Sequence, residues 1–285
     1  MRRGILPPMH AASGPGWVLV ALFVGGCEGV AGVKDVRYEP ADSTTSETGP
    51  AETGPGETGP SETGDADVGE VPPDPCPTDV KGSKLVNIPD GKGGTFCIDA
   101  TEVTGPQYQV FVASAAKPAP AARCPGTTIA APDKGYAAEG FPQNRIRWCE
   151  AQMYCAWAGK RLCTTAEWVW TCTQGEKSIY PYGNAYVAGK CVDSTDAASK
   201  VGTLGCRGTA APFDAVFDLS GNIDEWVDAC DDAATPPTCE VRGGAFFDKP
   251  SAPKNYLVCA EPYQHEASGE KELDEIGIRC CADAR

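Results

Sequence analysis

The sequence predicts an α+β domain, rich in loops and stapled by disulfides. Three observations carry this reading. The 285 residues include 33 glycines and 25 prolines, which break the hydrophobic runs into short elements. Fifteen cysteines are present behind an export-type N-terminus, in a context where disulfides persist. A few short stretches keep the helical period and one alternates like a strand, but the long remainder keeps neither.

The N-terminus comes first. Arg2 and Arg3 precede a weakly apolar stretch that ends in the compact run Trp17–Val24 (WVLVALFV). About ten apolar residues are too few to cross roughly 30 Å of hydrocarbon as a helix, so the run reads as a signal-peptide core. Val24-Gly25-Gly26-Cys27 then sets a cysteine directly behind two small residues, as a bacterial lipobox does. Residues 1–26 are expected to be a lipoprotein signal peptide and Cys27 the lipidated first residue of the mature chain. A plain secretory signal cut near Gly26 is the simpler alternative. Glu28 follows the cysteine, so inner-membrane retention is not indicated. The expected location is the bacterial cell envelope, lipid-anchored, at the outer membrane or cell surface.

Residues 27–75 form a second region. The chain carries a net charge of −15, of which −8 falls on residues 1–75 and −7 on the rest. Glu39 to Asp74 holds ten acids and no base, around the tandem repeat ETGPAETGPGETGPSETG. Such a segment has little apolar surface to bury and is expected to be a disordered tether between the anchor and a folded head. No basic stripe exists, which argues against nucleic acid as a partner.

Residues 76–285 are expected to fold as one domain. Phe96–Val103 (FCIDATEV) alternates like a strand. Pro106–Ala113 reads as a helix with proline in its first turn. Arg147–Ala158 (RWCEAQMYCAWA) reads as a second helix, with Trp148, Ala151, Cys155 and Ala158 on its buried face and Gly159 as its stop. Thr164-Thr165-Ala166-Glu167 fits a capping box, which starts a third helix that buries Trp168, Thr171 and Cys172. Without Cys27, fourteen cysteines remain, an even number. No pair has the C-x₂-C spacing and the mature chain keeps one histidine, His265, so disulfides are favoured over zinc.

Five stretches occur in a telling order: Trp148–Trp168 (WCEAQMYCAWAGKRLCTTAEW), Tyr180–Asn184 (YPYGN), Asp218–Trp226 (DLSGNIDEW), Arg242-Gly243-Gly244 and Gly277-Ile278-Arg279-Cys280. Together they resemble the sulfatase-modifying-factor family of the formylglycine-generating enzymes, from about residue 83 to the end. The resemblance implies a C-type-lectin-like variant of the α+β class. It also implies the disulfides Cys155–Cys280 and Cys172–Cys259. Spacing alone adds Cys76–Cys97, Cys191–Cys206 and Cys230–Cys239, and leaves open how Cys124, Cys149, Cys163 and Cys281 pair. Cys280 and Cys281 are expected to serve two separate staples rather than one redox switch. Each motif also has a plain structural role. Trp157, Trp168 and Trp226 suit core anchors better than a ligand cage. Gly243 and Gly244 suit positive φ or a close backbone approach.

The resemblance implies a structural calcium ion held by Asp218, Glu225 and the main-chain carbonyls of Gly221 and Ile223, a hard-oxygen set suited to Ca²⁺. The plain alternative is a turn whose acids face water. Asp224 stands where the family commonly has an aromatic residue. In the formylglycine-generating enzymes two cysteines follow the Gly-Gly motif and hold Cu(I), which soft thiolates favour. An ungapped count puts Asp248 and Pro253 at those two places, and no cysteine lies between Cys239 and Cys259. Copper is therefore not expected, nor is formylglycine formation by the copper route. One mature histidine cannot build a three-histidine iron site either. An acid-base pair of Asp248 with Asp224 or Glu261 lacks a positioned nucleophile.

The function expected is thus a non-catalytic binding module for an exported peptide or glycan, with Asp248, Lys249 and Tyr256 as candidate binding residues. Phe246 and Phe247 are further candidates for the rim, with burial in the core the favoured reading for both. Two alternatives are a divergent oxidase acting on cysteine in exported proteins and a structural envelope protein.

Overall fold

A computed structural model describes residues 74–129, 138–251, 254–266 and 275–285. Cys27, the expected signal peptide, nearly all of the expected tether and Pro253 lie outside these residues. Among the described residues, eight strands form two four-stranded sheets. The first contains β1 (Leu85–Pro89), β2 (Thr95–Asp99), β3 (Arg161–Leu162) and β8 (Cys280–Asp283), in the order β1-β2-β8-β3, all antiparallel. The second contains β4 (Asp224–Asp231), β5 (Thr238–Arg242), β6 (Tyr263–Glu266) and β7 (Ile276–Gly277), in the order β6-β5-β4-β7, with β4 and β7 parallel. Helices α1 (Gly105–Ala113), α2 (Trp148–Trp157) and α3 (Thr165–Cys172) pack around them.

The helix boundaries follow the caps. The Gln107 side chain accepts the Thr104 N–H at the start of α1. The Glu150 carboxylate accepts the N–H of Arg147 at the start of α2, and Gly159, at φ 78°, follows its end. At α3 the Thr164 hydroxyl accepts the Glu167 N–H while the Glu167 carboxylate returns to the Thr164 N–H. β2 stops at Asp99, earlier than the alternation to Val103 suggests. Its pairing with β1 ends at Leu85↔Asp99, and the Asp99 carboxylate turns inward to the Lys160 ammonium and the Cys280 N–H. Beyond it the Val103 N–H pairs with Ile278 outside either sheet.

Two apolar clusters form the main core. Tyr108, Phe111, Tyr154, Trp226 and Ile278 lie between α1, α2 and the second sheet, and Ile98, Trp168, Leu219 and Val227 lie under α3. Each large apolar side chain fully withdrawn from water contributes about 2 kcal/mol. Trp168 and Trp226 are buried, whereas Trp157 is partly buried against the core and carries Lys81 over its ring.

All fourteen described cysteines are paired, in seven disulfides. Cys155–Cys280 ties α2 to β8, and Cys172–Cys259 ties α3 to the segment beyond the Gly-Gly loop. Cys76–Cys97, Cys191–Cys206 and Cys230–Cys239 close shorter loops. The four cysteines that spacing left open pair as Cys124–Cys149 and Cys163–Cys281. Adjacent residues on a strand face opposite ways, so Cys280 and Cys281 reach different partners on the two faces of β8.

Candidate functional site

The site is built around the start of β4. Asp224 and Glu225 are neighbours on the strand, both buried, and point to opposite faces. Glu225 turns into the core. Its carboxylate accepts from the Arg279 Nε and Nη2 atoms at 2.6–2.9 Å and from the Trp168 indole N–H at 2.7 Å. Burial works against the charged guanidinium of Arg279, but Glu225 overrides it and keeps Arg279 protonated. Arg279 also donates to the carbonyls of Asp99 and Phe217, so this ion pair is fully hydrogen-bonded.

Beside this pair lie two further acids. Asp218, at φ 62°, accepts the Gly202 N–H at 2.5 Å, and burial pushes its carboxyl up to about 6. Glu102 accepts from the Asn222 side chain through Oε1, while its Oε2 is buried without a hydrogen-bond partner among the described residues. Burial first, then Asp218, raises Glu102 well above the usual carboxylate range. Three buried carboxylates thus face one guanidinium. Asp218, Glu225 and the carbonyls of Gly221 and Ile223 are the hard-oxygen groups that would have to hold a divalent cation if one bound here. Glu225 would have to share oxygens that already receive four N–H contacts. Among the described residues no three His, Cys, Asp or Glu side chains form a metal-holding group by themselves.

On the other face, Asp224 meets the Gly-Gly loop. Its Oδ1 accepts the Gly244 N–H at 3.0 Å, and Asp248 Oδ2 accepts the Ala245 N–H at 2.8 Å. The loop is also stitched to its surroundings through main chain: Gly221 N–H to the Gly243 carbonyl, Phe246 N–H to Asn222, Thr195 N–H to Phe246 and Ser194 N–H to Asp248. Gly244 sits at φ 69°, and a Cβ there would lie 3.0 Å from the Tyr256 backbone and 3.1 Å from the Asp248 carboxylate. Only glycine fits that approach without strain. Burial first, then the charges of Asp248 and Glu275, holds Asp224 well above the usual carboxylate range. Burial also raises Asp248 and Glu275. Of the two acids weighed and set aside as acid-base partners of Asp248, Asp224 lies within its field, whereas Glu261 faces Lys254 at 3.6 Å.

Around this acidic floor stand aromatic rings. Tyr256 packs edge-on against Tyr263, which packs on His265, which in turn meets Trp226. Burial lowers His265 to about 4, so it is neutral at pH 7. Lys249 is exposed. Phe246 is buried, but Phe247 is 46% exposed, which differs from the expectation that both are core residues. Phe246 takes the inward position because its main chain is bonded on both sides, and the next side chain must then point out. Sequence reasoning passed over Glu102 and Glu275 as site residues. Glu102 sits inside the run Phe96–Val103 that was read only as a strand, and Glu275 directly precedes the Ile276–Gly277 strand, so neither stands in a motif that marks it as a site.

The fold and these contacts can be set beside known proteins. A family model, described as the sulfatase-modifying factor enzyme 1-like domain, matches residues 91–284. The chain belongs to the sulfatase-modifying factor family. The inactive C-alpha-formylglycine-generating enzyme 2 of Bos taurus is 27% identical over 158 residues, covering 50% of this chain and 51% of that protein. The formylglycine-generating enzyme of Mus musculus is 29% identical over 168 residues, covering 50% of this chain and 44% of that protein. The chain therefore spans about half the length of the curated relatives it matches. The structure of PvdO from Pseudomonas aeruginosa has the same fold, with a TM-score of 0.50 at 20% identity over 71% of this chain and 91% of that one.

Within the family fold, the chemistry open to this site is set by what replaces thiols. Every described cysteine is in a disulfide, and the fifteenth is Cys27. No described residue offers a free thiolate. What stands beside the Gly-Gly loop instead is a set of carboxyls, Asp224, Asp248 and Glu275, each raised by burial and able to accept from polar groups.

Proposed function

We propose that this protein is an envelope-anchored lipoprotein whose head binds an exported peptide or glycan and does not make formylglycine. The observation that carries this reading is Asp248, a hard oxygen donor at the first of the two places where the family's enzymes hold thiolates, in a head whose cysteines are all committed to disulfides. The rest of the site supports binding. Asp224 and Asp248, both raised by burial and Asp224 further by the charge of Asp248, can grip hydroxyl or amide groups, and Tyr256 and exposed Phe247 supply apolar faces for a peptide side chain or a sugar ring. Lys249 stands next to them as an exposed cation. Calcium, held by Asp218, Glu225 and the Gly221 and Ile223 carbonyls, would brace the loop from beneath and has no part in chemistry on this reading. Cys27 would carry the lipid that anchors the protein at the outer membrane or cell surface.

The test uses the purified lipid-free protein with and without calcium. It is expected to retain ligands from peptide and glycan arrays, and to lose them in Asp248→Ala and Tyr256→Ala. It is expected to consume no oxygen when given cuprous ion and a cysteine-containing peptide. Copper-dependent oxygen uptake with aldehyde formation would sink the binding reading in favour of a divergent oxidase. Arrays that stay blank in both conditions would favour a purely structural envelope protein.

A further inference from the structure

The Gly-Gly loop holds two carboxylates side by side through consecutive amides. The Gly244 N–H donates to Asp224 Oδ1 at 3.0 Å, and the Ala245 N–H donates to Asp248 Oδ2 at 2.8 Å. Main chain brings Glu275 to the same place, since its carbonyl accepts the Asp224 N–H at 2.7 Å. Asp224 is only 7% exposed, and the Gly244 N–H is its carboxylate's one hydrogen-bond partner among the described residues. The charges that act most on it are those of Asp248, Glu275 and Glu225, all negative. Nearby cations are engaged elsewhere: Arg279 with Glu225, and Lys254 with Glu261. Lys249, next to Asp248, is exposed and bonds to neither aspartate. A buried acid among acids gains most from a ligand that brings positive charge.

Geometry selects the kind of cation. A guanidinium grips a carboxylate best through both oxygens at once, in two parallel bonds. Here a backbone N–H already occupies one oxygen of each carboxylate, which leaves Asp224 Oδ2 and Asp248 Oδ1. Single oxygens on two neighbouring side chains suit a primary ammonium, a compact charge whose three donors can be divided between them. A metal ion is served worse, because among the described residues no three His, Cys, Asp or Glu side chains form a metal-holding group. Exposed Phe247, and Tyr263 packed on Tyr256, add ring faces that attract a cation.

We propose that the ligand of this loop is a peptide that presents a primary ammonium, from a lysine side chain or a free N-terminus, to Asp224 Oδ2 and Asp248 Oδ1. This rests on the binding reading given above and narrows it from peptide or glycan to an amine-bearing peptide.

The test prints one set of random peptides in four forms: lysine free with the N-terminus acetylated, N-terminus free without lysine, all amines acetylated, and lysine converted to homoarginine with the N-terminus acetylated. The full-length protein is expected to capture one or both of the first two forms, which tell a side chain from a terminus. Capture of the acetylated and homoarginine forms should be about tenfold weaker or less, the loss for one charge-assisted hydrogen bond. The homoarginine form keeps the charge of lysine, so it separates this site from the general pull of a chain of net charge −15. Equal capture of the acetylated or homoarginine form would overturn the ammonium while leaving a binding module in place. No capture of any form would overturn it too, and glycan arrays would then decide whether the binding reading survives. Asp224→Asn keeps an acceptor for the Gly244 N–H, so its circular dichroism should be unchanged while the preference for amines is lost. A folded variant that keeps the preference would overturn the assignment to Asp224.

Discussion

Asp224 and Glu225 are adjacent carboxylates, both buried, and they live under opposite rules. Glu225 meets a guanidinium and an indole N–H in a closed network, so its charge is compensated where it sits. Asp224 meets two other acids and one backbone N–H, so it holds a proton well above the usual range. The difference is one of compensation: one buried acid sits with a cationic partner, while its neighbour is left among other acids.

The comparison breaks most sharply at Arg279. Arg279→Met should cost about 3–5 kcal/mol in chemical denaturation, because it strands Glu225 without a partner in the core. A loss under 1 kcal/mol would mean that the network is not what compensates Glu225. Next in size, removing the α2–β8 staple with Cys155→Ser and Cys280→Ser together should cost about 2–5 kcal/mol, since that bridge spans 125 residues of sequence. Gly244→Ala should cost about 1–2 kcal/mol, because a Cβ at positive φ runs into Asp248 and the Tyr256 backbone.

Asp224→Asn sharpens the contrast in the other direction. The folded-state pKa of Asp224 is raised, so its contribution to stability is complete below the unfolded value near 4 and is lost as pH rises through the folded value. The asparagine variant should therefore gain stability on the parent as pH rises from 4 to 8, read as a rising difference in chemical-denaturation midpoint. Equal pH dependence of the two proteins would refute the uncompensated state of Asp224. The smallest effect belongs to Phe247→Ser, which should change stability by no more than about 0.5 kcal/mol at an exposed site while weakening ligand capture on the arrays.

Much of this fold was legible in the order of residues. Caps and helical periods marked α1, α2 and α3 to within a residue or two, since a helix is closed by bonds among near neighbours. Three disulfides followed from short spacing and two from the family resemblance, whereas Cys124–Cys149 and Cys163–Cys281 could not be separated by counting. The loss of thiols at the Gly-Gly loop was also plain from the sequence. The carboxyl partners were not. Asp248 and Asp224 are 24 positions apart and Glu275 is farther still, and no local pattern reports that three strands and a loop bring them to one place.

By itself, then, the sequence determined which residue types were present, where helices could start and stop, that sulfur would serve as staples, and that no thiolate would stand where Asp248 stands. Only the tertiary structure decided that Glu225 would be paired and Asp224 left among acids, and that Phe246 would go inward and Phe247 outward. The physical reason is range. Capping and periodicity act over a few residues of chain, while burial and charge compensation act over a few ångströms of space, between groups as far apart in sequence as Asp99 and Arg279.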